Sequence, residues 1–423
     1  MNALNARVAV LIVAAAASSA QAQIGALGYE APPRIDPDRV LTPTLLASGN
    51  HRVRDQVKTR GNWLEFEIES DFGNYKALSI PMVALRVHEI RTLAQAVNEF
   101  QRDNQKLAET LRGQLTVGAD SFVDILTSPL STTSQLVSQF GSKVAQTFDE
   151  FGRPSPDVDE QTTGGKTIYH SFVPGDPTLA AHKRNVASQL NLDFYSSNPR
   201  VQDFLDTLAA ARSAGQQRAG VVTISLPQDQ EIRVANGRVE AAARAAMTHN
   251  TINQLYARNF EQLVSSAVDE DLANAFLSHP VLSPWHKTML TERVTFLDGV
   301  ENRGALLRAA LSTRSEEEAL AYLQVGKMLD AYQERSGSLR RLASAGHIVL
   351  ATTRDGTILV MLPFDILYWN RETEQIFSGL EKFARDKGFK KHAVISSGII
   401  TDSARLGLVG LDFGLQERFL LRR

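Results

Sequence analysis

Two histidines seven residues apart are the first candidates for chemistry in this chain. His279 and His286 flank a short segment that contains two prolines and a tryptophan, and Asp298 is a carboxylate that could assist them. Imidazole and carboxylate groups can bind a metal or transfer protons during hydrolysis. The same histidines can instead end one helix and begin the next. Both interpretations follow from the sequence.

A second candidate pair lies near the C-terminus. Ser397 follows a predicted buried strand, and Asp402 stands where the next helix begins. Strand ends and helix N-termini present backbone N–H groups to which an anion can bind. An ordinary helix N-cap formed by Thr401 or Asp402 is the alternative. The chain contains no G-x-S-x-G sequence, so an α/β-hydrolase triad has no support.

Two further patterns are incomplete versions of known motifs. Residues 164–167 match the end of a phosphate-binding loop, but Glu160 occupies the position of its first glycine. His88 begins a helical zinc motif in which Thr92 replaces the second histidine. The chain has no cysteine, which excludes thiolate metal sites and cysteine nucleophiles. The sequence therefore predicts neither a cofactor nor a bound metal.

The elements that would position these residues predict an α+β fold that is predominantly helical. Residues 63–69 alternate apolar and acidic side chains, as in a half-buried strand, and residues 75–80 form a return strand. From Pro81 to about Arg112, apolar residues recur every three or four positions, which predicts a long amphipathic helix. Several more helices are predicted between residues 178 and 342.

The last part of the chain changes to the period of strands. An Asp-Gly turn at Asp355 joins the strands predicted over 347–353 and 357–363 into a hairpin. An amphipathic helix closed by Gly388 follows. A buried strand, a short helix and a final strand are then predicted at 392–396, 402–408 and 417–421. This pattern predicts a small α/β module of three or four strands with two helices on one side.

These patterns divide the chain into five parts. We predict a signal peptide (1–22), a β-hairpin with amphipathic helices (23–151), a linker or long loop (152–177), a helical domain (178–342) and a small α/β module (343–423). Residues 23–43, which include four prolines, are expected to be extended and to pack little.

The N-terminus carries the pattern of an export signal. Arg7 precedes an apolar run over residues 8–17, and the sequence Ala20-Gln21-Ala22 resembles a cleavage site. The run is shorter than the roughly 20 apolar residues that cross a bilayer. We therefore expect a mature protein that is periplasmic or secreted and has no transmembrane segment. The formal net charge of −2 argues against a nucleic-acid partner.

Residues 119–151 are the predicted interaction surface. Apolar residues recur there about every four positions among Ser, Thr and Gln, with few charges. Such a helix could contact an envelope protein or a membrane surface, and the alternative is a pair of helices packed on the rest of the domain. The surface would consist of Phe122, Leu136, Phe140, Val144 and Phe148.

The chain resembles an uncharacterised family of signal-peptide-bearing bacterial proteins. The resemblance lies in residues 46–51, in the Asp71-Phe72-Gly73 turn with the helix that follows it, and in residues 190–199. It implies secretion and assigns no activity, cofactor or catalytic residue. Together with the absence of a complete catalytic set, it favours a non-enzymatic binding protein of the bacterial envelope. The alternatives are an envelope hydrolase that uses the candidates above and a soluble ligand carrier with an apolar pocket.

Overall fold

The computed structural model describes residues 28–103, 109, 111–113, 177–213 and 237–421. Helices predominate, and the strands form a small antiparallel sheet near the N-terminus and a larger mixed sheet near the C-terminus. The predicted class, a predominantly helical α+β fold, is confirmed. The predicted signal peptide and the predicted surface at 119–151 lie outside the described residues, as does the linker up to residue 176.

The N-terminal sheet is organised around its longest strand. Strands β1 (His51–Val53), β2 (Lys58–Arg60) and β4 (Tyr75–Leu78) all pair antiparallel with β3 (Trp63–Ser70). On β3 the side chains of Leu64, Phe66 and Ile68 are completely buried, while the glutamates between them are partly exposed. The predicted alternation is therefore confirmed, and its apolar face forms part of the first core.

A short helix precedes this sheet in sequence, and a long helix follows it. Helix α1 (Pro43–Leu46) precedes β1, and α2 (Ile80–Asp103) begins two residues after β4. The face of α2 that carries Val83, Val87 and Ile90 is buried against the sheet. Helices α3 (Pro177–Gln189) and α4 (Pro199–Ser213) pack against each other and add their apolar faces to the same core.

Six helices build the middle of the chain. They are α5 (Gly237–His249), α6 (Ile252–Ser265), α7 (Glu270–Leu277), α8 (Pro284–Phe296), α9 (Ala305–Ala310) and α10 (Glu316–Ser336). Their starts follow capping rules: Thr251 and Ser283 form capping boxes at α6 and α8, and Ser315 caps α10. Helix α10 is central, because its residues contact both the other helices and the C-terminal sheet.

The C-terminal sheet contains five strands in the order β11–β9–β7–β6–β5. They are β5 (Leu339–Ala345), β6 (Ile348–Thr353), β7 (Thr357–Leu362), β9 (Lys391–Ser396) and β11 (Phe413–Gln416). Strands β5, β6 and β7 pair antiparallel, whereas β7, β9 and β11 pair parallel. A separate parallel pair is formed by β8 (Ile366–Leu367) and β10 (Ile399–Ile400).

Both faces of this sheet are buried. Alternate residues such as Val349 and Leu359 share a core with the middle helices. Their neighbours Leu350 and Val360 share another core with helices α11 (Arg371–Asp386) and α12 (Asp402–Gly410). Because side chains alternate between faces, a strand covered on both sides is apolar along its whole length.

Several element predictions are confirmed, and others need correction. The sheet of the C-terminal module has five strands rather than the predicted three or four, because residues before 343 add a strand to it. The Asp355 hairpin and the helix closed by Gly388 are present. Residues 339–342, predicted as the end of a helix, belong to strand β5, because this strand pairs with β6 and forms a bridge to Glu301. The last strand lies at 413–416 rather than 417–421, where a 3₁₀ turn follows. The predicted leader packs well: Ile35 and Leu41 are buried.

A buried carboxylate connects the two sheets. Asp365, which follows β7, accepts the backbone N–H groups of Leu64 at 3.0 Å and of Ile80 at 3.1 Å. The second contact supplies a partner for an N–H group at the first turn of α2, which has no acceptor within its own helix. Gly398 lies against the same segment, since a Cβ atom there would be 2.0 Å from the carbonyl oxygen of Asp365.

Candidate functional site

The candidate site is built on the irregular segment between α3 and α4. In this segment, residues 190–198, Asn191 has a φ of +58°, a left-handed conformation that asparagine tolerates better than most residues. The side-chain amide of Gln202 donates to the carbonyl oxygens of Phe194 and Ser196 at 3.1 and 2.8 Å. These bonds fix the segment on the first turn of α4.

Beneath this segment lies a buried network around one arginine. The guanidinium of Arg86 on α2 donates to Glu89 at 2.8 Å, to Ser197 at 3.1 Å and to Glu316 at 2.8 Å. Ser196 donates to Glu89, and Ser197 donates to Glu316, each at 2.6 Å. Because Arg86 is fully buried, its charge depends on these carboxylates. The network holds the segment between α2 and the start of α10.

On another side of the segment is a narrow cleft with a volume of about 20 Å³. It is bounded by α3, by residues 192–194, by α5 and by the first turn of α8. Its lining combines cationic, hydroxyl and apolar side chains: Arg184, Ala187, Ser188, Leu192, Asp193, Phe194, Arg244, Met247, Thr248 and Trp285. It brings together α3 and the segment that follows it with two helices that are distant in sequence, α5 and α8.

Two arginines define the charge of this cleft. The guanidinium of Arg184 lies 5.9 Å from the ring centre of Phe194, and that of Arg244 lies 5.7 Å from the ring centre of Trp285. Such cation–π contacts hold a guanidinium in place without neutralising it. In the described part of the chain, neither guanidinium forms an ion pair, and the Nε atom of Arg184 is buried without a hydrogen-bond partner. Burial lowers the pKa of Arg244.

Asp193 is the acidic residue of the cleft. Its Oδ1 atom accepts the backbone N–H of Tyr195 at 2.9 Å. Burial, together with the nearby carboxylates of Glu316 and Glu89, raises the pKa of Asp193 to about 7, although the Tyr195 hydrogen bond and Arg244 oppose this rise. Asp193 is therefore poised to exchange a proton near neutral pH.

Two hydroxyl groups complete the polar lining. The Oγ atom of Ser188 on α3 and the Oγ1 atom of Thr248 on α5 are 2.9 Å apart. Thr248 also lies 2.8 Å from the carbonyl oxygen of Arg244, one helical turn earlier. This contact joins the two helices at the cleft and keeps their arginines on either side of it.

The histidine candidates have structural contacts. The Nε2 atom of His279 lies 3.2 Å from the carbonyl oxygen of Leu311, and burial lowers the pKa of His279 to about 4. His286 forms the capping box of α8 with Ser283, and burial lowers its pKa to about 3. Both imidazoles are therefore neutral at pH 7. Asp298 is almost fully exposed, and its Oδ1 atom lies 3.8 Å from the guanidinium of Arg303. Among the described residues it forms no hydrogen bond with either histidine.

The C-terminal candidates also have local roles. The hydroxyl of Ser397 donates to the carbonyl oxygen of Phe364 at 3.1 Å. Thr401, rather than Asp402, is the N-cap of α12, and its hydroxyl also donates to Glu30 at 2.6 Å. Asp402 is the first residue of α12 and is exposed. The N-cap interpretation of this segment therefore agrees with the structure.

Two general features of the described residues bear on the site. None of their His, Asp and Glu side chains are grouped so that three or more could hold a metal ion. Within the same residues, no helix combines the length and the apolar character needed to cross a membrane.

No sequence pattern points directly to the cleft. Arg184 and Arg244 resemble ordinary charged residues on the polar faces of two helices. The only indirect signal was residues 190–199, which carry part of the family resemblance and include Asp193 and Phe194. Comparisons with protein-family models, with curated proteins and with solved structures find no match to this chain. The resemblance noted in the sequence therefore stays a prediction.

Proposed function

We propose that this protein is a non-enzymatic binding protein of the bacterial envelope, and that it binds an anionic ligand in the cleft of Arg184 and Arg244. The observation that carries the proposal is the pair of guanidinium groups, which lie 5.9 and 5.7 Å from the centres of aromatic rings and form no ion pair with the described residues. Arginine donates hydrogen bonds in a fixed planar fork, which suits oxyanions.

The energetics favour an anionic occupant. Each guanidinium loses part of its hydration without gaining an ion-pair partner among the described residues. For Arg244, the carboxylates of Glu240 and Asp193 compensate this loss only in part, because burial still lowers its pKa. A bound oxyanion would restore that interaction through charge-assisted hydrogen bonds worth about 1.5–3 kcal/mol each. Two such bonds are worth about 3–6 kcal/mol before the entropy of association is subtracted, and a millimolar dissociation constant corresponds to about 4 kcal/mol. A minimal anion is therefore expected to bind no more tightly than about millimolar.

The alternatives receive less support from the described residues. General acid–base catalysis needs groups within about 3 Å of the proton that they transfer. The candidate residues His279, His286 and Ser397 instead contact backbone or capping groups. A carrier of apolar ligands needs a cavity of several hundred Å³ with a mostly apolar lining. The cleft is far smaller, and half of the residues that line a larger depression of about 330 Å³ near the N-terminus are charged: Asp36, Asp38, Arg52 and Asp55.

Export is a separate part of the proposal, and it rests on the N-terminal pattern. Cleavage after Ala22 would leave Gln23 as the first residue of the mature protein. Expression of the full chain in a bacterial host, followed by fractionation and N-terminal peptide mass spectrometry, tests this. Recovery of only uncleaved chain from the cytosol would refute it.

Anion binding can be measured by calorimetry or by ligand-observed NMR with acetate and inorganic phosphate as probes. We expect binding by the natural chain and a loss of about tenfold or more on Arg244→Gln, because one charged partner is removed. Arg238→Gln is the matched control, since Arg238 is an exposed arginine on the same helix. Equal binding by the two variants, or no binding by the natural chain, would refute the proposed site.

A further inference from the structure

The cleft also indicates which anion it accepts. This inference rests on the proposed function and makes it more specific. We propose that the ligand group is a carboxylate, and that it binds together with one proton held by Asp193.

The size of the cleft argues for a carboxylate. A volume of about 20 Å³ compares with the roughly 10–15 Å³ that one water-sized group requires. One or both oxygens of a planar carboxylate fit this space, with the rest of the ligand outside. A tetrahedral phosphate group has four oxygens and is too large to enter completely. The apolar residues Leu192, Met247 and Trp285 border the cleft and can contact a carbon next to the carboxylate.

The second oxygen of Asp193 provides the position for the proton. Its Oδ1 atom accepts the N–H group of Tyr195, and no hydrogen bond to its Oδ2 atom is formed by the described residues. If both carboxylates in so small a cleft were ionised, they would repel each other strongly. Protonated Asp193 instead donates an O–H hydrogen bond to the incoming carboxylate, so that the two groups share one proton.

The charges around Asp193 are consistent with this arrangement. Glu89 on α2 and Glu316 on α10 disfavour its ionised form, whereas Arg244 on α5 favours it. Arg184 on α3 also lines the cleft. When a ligand carboxylate arrives, it takes over the interaction with the arginines. The ionised form of Asp193 then loses its stabilising partner, and proton uptake follows.

The consequence is a pH-dependent affinity. Burial raises the pKa of Asp193 to about 7. Below that pH, Asp193 already carries the proton, and the affinity should change little. Above it, the protonated fraction falls about tenfold per pH unit, and the affinity for a carboxylate should fall in proportion.

The test compares acetate with inorganic phosphate at about pH 6 and about pH 8, on either side of the titration. We expect acetate to bind more tightly than phosphate and to lose about tenfold in affinity between these two conditions. In Asp193→Asn, the amide oxygen can still accept the Tyr195 N–H and the amide nitrogen replaces the acid O–H donor. Acetate binding by this variant should be independent of pH.

Further binding measurements separate the possible outcomes. A short peptide with a free C-terminus and its amidated form show whether the carboxylate can belong to a peptide. Phosphate binding as tight as acetate binding, or an acetate affinity of the natural chain that does not change with pH, would overturn this inference and leave the proposed anion site standing. Failure of both anions to bind at either pH would refute both proposals. The pH dependence of acetate binding to the natural chain tests this inference even if the Asp193→Asn variant does not fold.

Discussion

Replacing Arg86 provides the sharpest test of how this fold is held together. Its guanidinium is fully buried and donates to Glu89, Ser197 and Glu316. In Arg86→Met, a side chain of comparable length keeps most of the apolar packing, but two carboxylates remain close together without their cation. Removing one partner of a buried ion pair costs about 3–5 kcal/mol, because the remaining charge is left uncompensated.

This loss is large compared with the total stability of a folded domain, which is about 5–15 kcal/mol. We therefore expect the urea midpoint, followed by circular dichroism, to fall markedly in Arg86→Met. The loss should shrink as the pH falls, because protonation discharges the two unpaired carboxylates.

Arg54 offers a matched control for Arg86. It also contacts two carboxylates, those of Glu67 and Glu69, but all three side chains are substantially exposed. Surface ion pairs contribute little because water and salt screen them. Arg54→Met should therefore leave the urea midpoint nearly unchanged. If the variants at Arg86 and Arg54 were equally stable, the reasoning about the buried network would be refuted.

Three further predictions follow from the described structure. Gly398→Ala should lower the unfolding free energy measured in urea by about 1–3 kcal/mol, because the added Cβ overlaps the Asp365 carbonyl group. Gly237→Ala is the control, since a Cβ atom there meets nothing within 4 Å. Equal losses of stability in the two variants would contradict the overlap. Burial raises the pKa of Asp365 from 3.8 to about 7, so the folded state binds more protons than the unfolded state between these values. The contribution of Asp365 to the unfolding free energy should therefore fall by up to about 4 kcal/mol as the pH rises through that range. If the unfolding free energies of the natural chain and of Asp365→Asn changed in parallel with pH, this expectation would be wrong. The imidazole NMR signals of His279 and His286 should keep the chemical shifts of a neutral ring down to about pH 5, because burial lowers their pKa values to about 4 and about 3. Titration of these signals near pH 6.5 would show that the two histidines are hydrated.

The elements that were correctly predicted have strong local causes. The turn between β6 and β7 needs a residue with positive φ, and Gly356 provides it at +82°. The start of α8 is set by a serine, a proline and a histidine within four residues, which form a capping box. On β3 the alternation of apolar and acidic residues is sufficient, because only one face of that strand is buried.

The elements that were missed have non-local causes. Strand β5 follows a 21-residue helix after only two residues, Gly337 and Ser338, and carries two adjacent arginines. Its strand conformation depends on pairing with β6 and on a bridge to Glu301. Similarly, Glu30 in the predicted leader accepts hydrogen bonds from the backbone N–H of Trp369 and from the Thr401 hydroxyl. Those partners lie more than 300 residues away, so local patterns do not reveal them.

The sequence by itself determined the fold class, most helix starts and the hairpin turns, since these depend on propensities and hydrogen bonds within a few residues. The tertiary structure decided the binding site. Arg184, Asp193 and Arg244 come from three segments, and each is unremarkable in its own segment. Their combined effect arises only where α3 packs against α5 and brings two partly buried cations to one cleft. Electrostatic interactions depend on distance and burial, and both are properties of the folded chain.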